Sequence, residues 1–287
     1  MNDVVSVMLS KYSCKSIEDY ENALKEIIQE IALLGLWRAK FFEKAAFYGG
    51  TALRIFYGMD RFSEDLDFSL LAPDKKFDLR KYCAGIKEEL EGFGFKTEVQ
   101  KKDKSFTSAI ESAFIKTKTI ENLIMIKTPD YIVKRVPSNR VIKIKMEVDI
   151  DPPGGFETEA KYLLQPIPFS VLVYKPPDLF AGKIHAILYR SWKLRAKGRD
   201  WYDLVWYVAR QIPLSLSHLK ERMTKAGQLK VGVPFNKDTI IELLMKRIDE
   251  VDFKAAKDDI LPMIKDPSVI NIWSRDFFKD VVSRIKF

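Results

Sequence analysis

The sequence predicts an α+β protein in which a half of mixed strands and helices is followed by a helical half, with the boundary near residue 175. Three observations predict it. Residues 142–150 alternate strictly between apolar and polar side chains, the period of a half-buried strand. Residues 51–92 alternate helix and strand patterns after the glycine pair Gly49 and Gly50. Beyond the proline pair Pro176 and Pro177, one helical pattern follows another. Two domains are expected: 1–175, a core with N-terminal helices, and 176–287, a helical domain.

Taken in order, Ser16 to Ala46 carries Leu24, Ile27, Ile28, Ile31, Leu33, Leu34 and Trp37 at helical spacing and predicts one or two helices. Gly49 and Gly50 break that pattern. A short helix over Thr51 to Phe56, a strand over Leu66 to Leu71 and an amphipathic helix over Leu79 to Gly92 follow. Strands are predicted at Lys96 to Gln100, around Leu123 to Ile126 and, most plainly, at Val141 to Ile150. In the last, Lys143, Lys145, Glu147 and Asp149 share one face. The helical half reads as Asp178 to Ser191, Arg199 to Arg210, Leu216 to Ala226, Thr239 to Val251 and Asp276 to Ile285.

With 287 residues, 47% of them hydrophobic and 31% charged, the composition is that of a globular protein able to build a core. The apolar stretches are too short or too charged to span a bilayer, and the N-terminus lacks a signal-peptide plan, so a cytoplasmic protein without membrane contact is expected. Cys14 and Cys83 form no CxxC or Cys/His cluster and are read as buried apolar residues. His185 and His218 are the only histidines, which argues against a Ser-His-Asp or Cys-His enzyme. The net charge of +8 favours a polyanionic partner, nucleotide or nucleic acid.

The chemistry concentrates between Phe47 and Phe68. Asp65 and Asp67, one residue apart on a strand, point to one face and suit one or two Mg²⁺ ions, or Mn²⁺ in their place. Gly49 and Gly50 let the backbone approach a ligand, and the helix behind them offers N–H groups to a phosphate. Thr51 adds a hydroxyl, and Arg54 and Arg61 add cationic donors. An isolated Asp-x-Asp is more often a solvated surface strand; the glycine turn just upstream favours the metal reading. A third carboxylate is expected from Glu147 or Asp149, with Glu147 favoured, although their lysine neighbours also suit an ion-paired exposed face.

These motifs, GGTALR followed by RFSEDLDF and then LFAGK followed by KGRDWYDL, resemble the AbiEii/AbiGii family of nucleotidyltransferase toxins, which includes the MenT toxins and lies within the DNA polymerase β-like superfamily. The likeness runs from about Phe47 to Tyr207. It implies a polymerase β-like core with a mixed sheet, Mg²⁺ held by Asp65 and Asp67, and an NTP triphosphate facing Gly49, Gly50 and Ser63. Lys183 would contact the phosphates, and Asp200 would orient Lys183 or the substrate. Gly182 departs from the charged residue frequent there and leaves Lys183 untouched. The implied reaction is transfer of NMP from an NTP to an RNA 3′ end, notably a tRNA acceptor stem, blocking translation; a separately encoded antitoxin is the implied partner. NMP transfer to a protein hydroxyl and a non-catalytic nucleotide-binding protein are the alternatives.

Without that resemblance, Lys183 is a helical lysine of the exposed or snorkelling kind, and Asp200 and Asp203 are helix caps. The connector Arg190, Lys193, Arg195, Lys197 and Arg199 is a solvated loop or a surface for an RNA backbone. Trp192, Trp201 and Trp206 are assigned to the core.

Overall fold

The computed structural model describes residues 3–102, 109–190, 197–229 and 234–287. Helices α1 (Asp3–Leu9) and α2 (Ile17–Arg38) come first, and α2 starts at a capping box in which the Ser16 hydroxyl and the Asp19 carboxylate exchange backbone partners. Strand β1 (Ala45–Tyr48) then runs directly into α3 (Gly49–Tyr57), and β2 (Leu66–Leu70) precedes α4 (Arg80–Gly92). Next come β3 (Glu98–Lys101), β4 (Ile110–Lys118), α5 (Thr119–Met125), α6 (Asp130–Val133), β5 (Val141–Asp149), β6 (Thr158–Leu163) and β7 (Phe169–Tyr174). The remainder is helical: α7 (Pro176–Tyr189), α8 (Gly198–Ala209), α9 (Leu216–Lys225), α10 (Lys237–Glu250), α11 (Phe253–Ile260) and α12 (Arg275–Ser283).

The seven strands form one mixed sheet in the order β3-β4-β5-β2-β1-β7-β6, so the α+β class holds. Strand β2 is antiparallel to β1 and parallel to β5, and β5 is antiparallel to β4. Register follows the pleat. Ile142, Ile144, Met146 and Val148 are buried, and on the same face Phe68 lies opposite Val148 and Phe47 opposite Phe68. Helices α2 and α4 pack on each other, and they contact β5 and β3 respectively.

Three differences from the sequence reading have physical causes. Residues 45–48 are strand, where the helical reading ran on to Ala46, because a four-residue apolar run has no period to betray it. The segment around Leu123 to Ile126 is helix: Thr119, Asn122, Leu123 and Ile126 are buried at helical spacing, with Ile124 exposed between them. Strand β4 escaped notice because its buried face mixes Ala113 and Ile115 with Glu111 and Thr117, which blurs the apolar alternation. Cys14 and Cys83 are half-buried rather than buried. Trp201 and Trp206 are core residues, as expected; Trp192 lies outside the described residues.

By contacts the chain divides into two compact units: Met1–Ala52, Phe62–Pro152 and Glu159–Val173 in the first, Leu53–Arg61, Pro153–Thr158 and Tyr174–Phe287 in the second. The second has its own aromatic core, in which Trp201 meets Phe278 and Phe253 edge-on at 5.0 and 5.4 Å and Phe180 stacks on Tyr207 at 4.4 Å. Gly198 opens α8 against the carbonyl of Ala256 in α11, where any Cβ would collide with backbone. Among the described residues no helix is long and apolar enough to cross a membrane.

His218, fully buried in α9, uses Nδ1–H to donate to the Gly154 carbonyl at 2.8 Å, which leaves Nε2 toward Arg222 at 3.5 Å. Burial, with Arg222 adding to it, pushes the imidazole down to about 4 from an ordinary value of 6.5, against the opposing effect of the Gly154 carbonyl. The unfolded chain therefore binds more protons between those limits, so this stability is complete above pH 6.5 and is lost as pH falls to 4. His218→Asn keeps a donor for Gly154 and cannot protonate. Its urea-unfolding free energy should fall less than that of the wild type between pH 7 and 4.5, by up to about 3 kcal/mol. Equal losses in the two proteins would remove His218 as the acid-sensitive group.

Candidate active site

The first unit holds the glycine turn and the carboxylates. Strand β1 passes into α3 with no intervening loop, which obliges Gly49 to adopt φ +82°, a left-handed conformation that glycine tolerates without strain. Tyr48 pairs with Asp67 across the ladder, so Asp67 sits beside the α3 N-terminus. A Cβ on Gly49 would lie 2.7 Å from Asp67 Oδ2: the carboxylate occupies the place of the missing side chain. Half-buried Asp65 and Asp67 alternate with fully buried Leu66 and Phe68, which turns the two carboxylates to the side away from the core.

The loop that delivers Asp65 is tethered from two helices. The Thr51 hydroxyl in α3 donates to the Asp65 carbonyl, and since it has one proton, the Ser63 hydroxyl 2.9 Å away must donate to it. From α2, one turn apart, Lys25 Nζ meets Glu64 Oε1 at 3.1 Å and Gln29 Nε2 donates to the Ser63 carbonyl at 3.1 Å. Thr51, 1% exposed, thus spends its hydroxyl on the loop. Gly50, half-buried, follows Gly49 in the first turn of α3.

On the neighbouring strand, Glu147 is the register partner of Asp67, and Asp149 pairs with Ser69 one step further along the same face. Glu147 Oε1 is bound to Lys145 Nζ at 2.7 Å and receives Ser112 Oγ at 3.4 Å; Asp149 Oδ1 accepts from the Asp151 amide at 3.1 Å. Among the described residues no group of three or more His, Cys, Asp or Glu is gathered closely enough to hold a metal ion. The donor set nevertheless fits a hard divalent cation. Asp65 and Asp67 offer only oxygen, the missing side chain of Gly49 leaves room for the Asp67 carboxylate, and Glu147, bound to Lys145, adds oxygen from the neighbouring strand.

The second unit contains a charge cluster. Lys183 Nζ in α7 lies 2.7 Å from Asp200 Oδ1 and 2.8 Å from Asp203 Oδ2, both carboxylates coming from one face of α8. Arg61, 2% exposed, grips Asp203 with a two-pronged fork, Nε to Oδ1 at 2.6 Å and Nη2 to Oδ2 at 2.7 Å. Arg190 Nη1 adds a bond to Asp200 Oδ2 at 2.8 Å. Burial works to raise the Asp203 carboxyl, but Arg61 and Lys183 outweigh it and hold it below the ordinary range. Burial likewise opposes the Arg61 charge, and Asp203 more than restores it. Among the described residues Arg61, Lys183 and Arg190 surround the Asp200 and Asp203 carboxylates.

Several sequence expectations change here. Arg61 is no loose phosphate donor but the buried partner of Asp203, and Asp200 and Asp203 are ion-pair nodes rather than helix caps. Lys183 is paired and only 14% exposed. Arg54 Nη1 donates to the carbonyls of Met59 and Asp60, each at 3.0 Å, beyond the end of its own helix. In the basic connector Arg190 is exposed, Lys197 and Arg199 are half-buried, and Lys193 and Arg195 lie outside the described residues. Asp203 as the partner of Arg61, and Lys25 and Gln29 as loop tethers, were missed. The three-residue spacing of Asp200 and Asp203 was the one visible signal, since long-range partners leave no local pattern.

A mixed sheet with a glycine strand-helix turn set against paired carboxylates is the core expected of a nucleotidyltransferase, and the family match agrees. The sequence model of AbiEii, described as the nucleotidyl transferase AbiEii toxin of a type IV toxin-antitoxin system, matches residues 31–279. The chain belongs to that family of nucleotidyltransferase toxins, which implies a nucleotide substrate and an antitoxin partner. Among solved structures it is similar to MenT4, a nucleotidyltransferase toxin from Mycobacterium tuberculosis H37Rv, at TM-score 0.51 and 16% identity over 99% of this chain and 89% of that one. It is also similar to JHP933 from Helicobacter pylori, at TM-score 0.47 and 18% identity over 92% and 88% of the two chains. The MenT4 likeness speaks for the fold. A search of curated proteins found no match.

Removing one partner of a buried ion pair strands the other charge. Asp203→Asn should therefore cost about 3–5 kcal/mol of stability, while Asp203→Leu combined with Arg61→Met should recover most of that loss. Urea-unfolding curves of the singles and the double decide it, and a double variant as unstable as the sum of its parts would mean the charges are uncoupled.

Proposed function

We propose that this toxin transfers NMP from an NTP to the 3′ end of an RNA, the acceptor end of a tRNA, with Mg²⁺ held by Asp65 and Asp67 and a contribution from Glu147. The observation that carries the reading is the Asp67 carboxylate lying where a Gly49 side chain would be, beside the start of α3. There, the first N–H groups of α3 at Gly49 and Gly50 suit a phosphate, and the adjacent carboxylates suit the cation that accompanies it. When bound, the divalent ion offsets charge developing on the α-phosphoryl group and eases deprotonation of the acceptor hydroxyl.

In the proposed reaction the acceptor oxygen bonds to the α-phosphorus, the bond to the β-phosphate oxygen breaks, pyrophosphate leaves and the hydroxyl proton passes to solvent. Thr51, Ser63, Lys25 and Gln29 hold the Asp65 loop in shape for that step, so positioning is their contribution. Lys183, preset by Asp200 and Asp203, is assigned the triphosphate, to which its ammonium offers a point charge. Arg54 supports the turn after α3. The connector Arg190, Lys193, Arg195, Lys197 and Arg199 is assigned to the RNA backbone. The neutralising antitoxin is read as a separate chain.

Incubation with Mg²⁺, each labelled NTP and either total tRNA or cell lysate should label RNA. Label on protein alone would overturn the RNA acceptor, and no label under any condition would overturn transfer itself. Asp67→Ala should lower turnover by about 10²-fold or more with the unfolding midpoint retained; wild-type turnover would remove the metal assignment. Lys183→Ala should raise the NTP concentration needed for half-maximal rate by roughly 10- to 100-fold. An unchanged NTP dependence would take Lys183 out of the site.

A further inference from the structure

The outward face of β4 and β5 has a polarity that the fold alone does not require. Register sets Lys116 directly opposite Lys143, Phe114 opposite Lys145 and Ser112 opposite Glu147, which in turn faces Asp67. One continuous surface therefore runs from carboxylates at Asp67 and Glu147 to lysines at 145, 143 and 116. Like charges directly opposed on a ladder destabilise it, and among the described residues neither Lys116 nor Lys143 forms an ion pair with a carboxylate. The Lys143 ammonium instead sits 4.0 Å above the half-buried ring of Phe114. A row of cations interleaved with an aromatic ring is the chemistry that holds single-stranded nucleic acid, phosphates on lysines and bases on the ring.

We propose that this face is the track for the single-stranded 3′ end of the acceptor nucleic acid, with its terminus at Asp67 and Glu147 and the preceding nucleotides on Lys145, Phe114, Lys143 and Lys116. The proposal rests on the reading that the acceptor is a nucleic-acid 3′ end. Charge fixes the direction: the acidic end repels a polyanion unless a cation is bound there, whereas the lysine end attracts it. Glu147 and Lys143 are four residues apart on one strand, about 14 Å, a span of a few extended nucleotides.

Binding of a 5′-labelled single-stranded oligoribonucleotide of mixed sequence, followed by fluorescence anisotropy without NTP, tests the track separately from the chemistry. Lys116→Gln with Lys143→Gln should weaken binding about 10-fold or more and reduce the slope of log affinity against log salt by about 1.4. Phe114→Leu should weaken it roughly 10-fold with the salt slope unchanged. With a one- or two-nucleotide acceptor, too short to reach Lys143, the lysine double variant should transfer NMP at the wild-type rate. Wild-type affinity and salt slope in the lysine variant would overturn the track while leaving nucleotidyl transfer intact. Failure of the wild type to bind the oligoribonucleotide would also overturn it. Equal loss of transfer with short and long acceptors would mean the lysines act on the fold or the chemistry rather than on an extended strand.

Discussion

The apposition of Gly49 and Asp67 is the constraint around which the first unit is arranged. With β1 entering α3 directly, the turn needs a left-handed residue; with Tyr48 and Asp67 in register, the same residue must also be one that leaves room for a carboxylate. Only glycine satisfies both. Everything nearby preserves that geometry: Thr51 holds the backbone of Asp65, α2 grips Ser63 and Glu64, and Phe47 and Phe68 meet at 5.0 Å on the core side. A carboxylate beside a helix N-terminus is favoured by the partial positive charge of that end.

In the second unit a different solution is used for a different problem. Buried charges are costly, and the cluster of Arg61, Lys183, Asp200, Asp203 and Arg190 meets that cost with short, well-aligned bonds. Asp203 is the hub, because its two oxygens serve a rigid guanidinium fork and an ammonium at once. An arginine suits the buried position, being always charged and geometrically matched to a carboxylate, whereas the point charge of lysine suits the position nearer solvent.

The sheet of the first unit has two unlike faces. Its inner face is mostly apolar, with Ile142, Ile144, Met146 and Val148 of β5 buried, so register is strongly determined; its outer face, free of that demand, can segregate acid from base. Register makes neighbours of Asp67 and Glu147, residues 80 positions apart by number, and sets two lysines against each other.

From the sequence alone came what periodicity and local chemistry encode: the α+β class, β5 and its polar face, α3, α4 and the main C-terminal helices, the glycine turn, the Asp65 and Asp67 pair, and the membership that the motifs from Phe47 to Tyr207 suggest. Tertiary structure decided what depends on partners distant in the chain. Strands β1 and β4 emerge only in the sheet, since one is too short to show a period and the other buries Glu111 and Thr117 beside its apolar residues. Arg61 becomes structural only because Asp203, 142 residues later, closes its fork, and Thr51 becomes a tether only because Ser63 and Asp65 return to it. A side chain's type is written locally, but whether its charge or hydroxyl is left for a ligand depends on which remote group folding brings within hydrogen-bond reach.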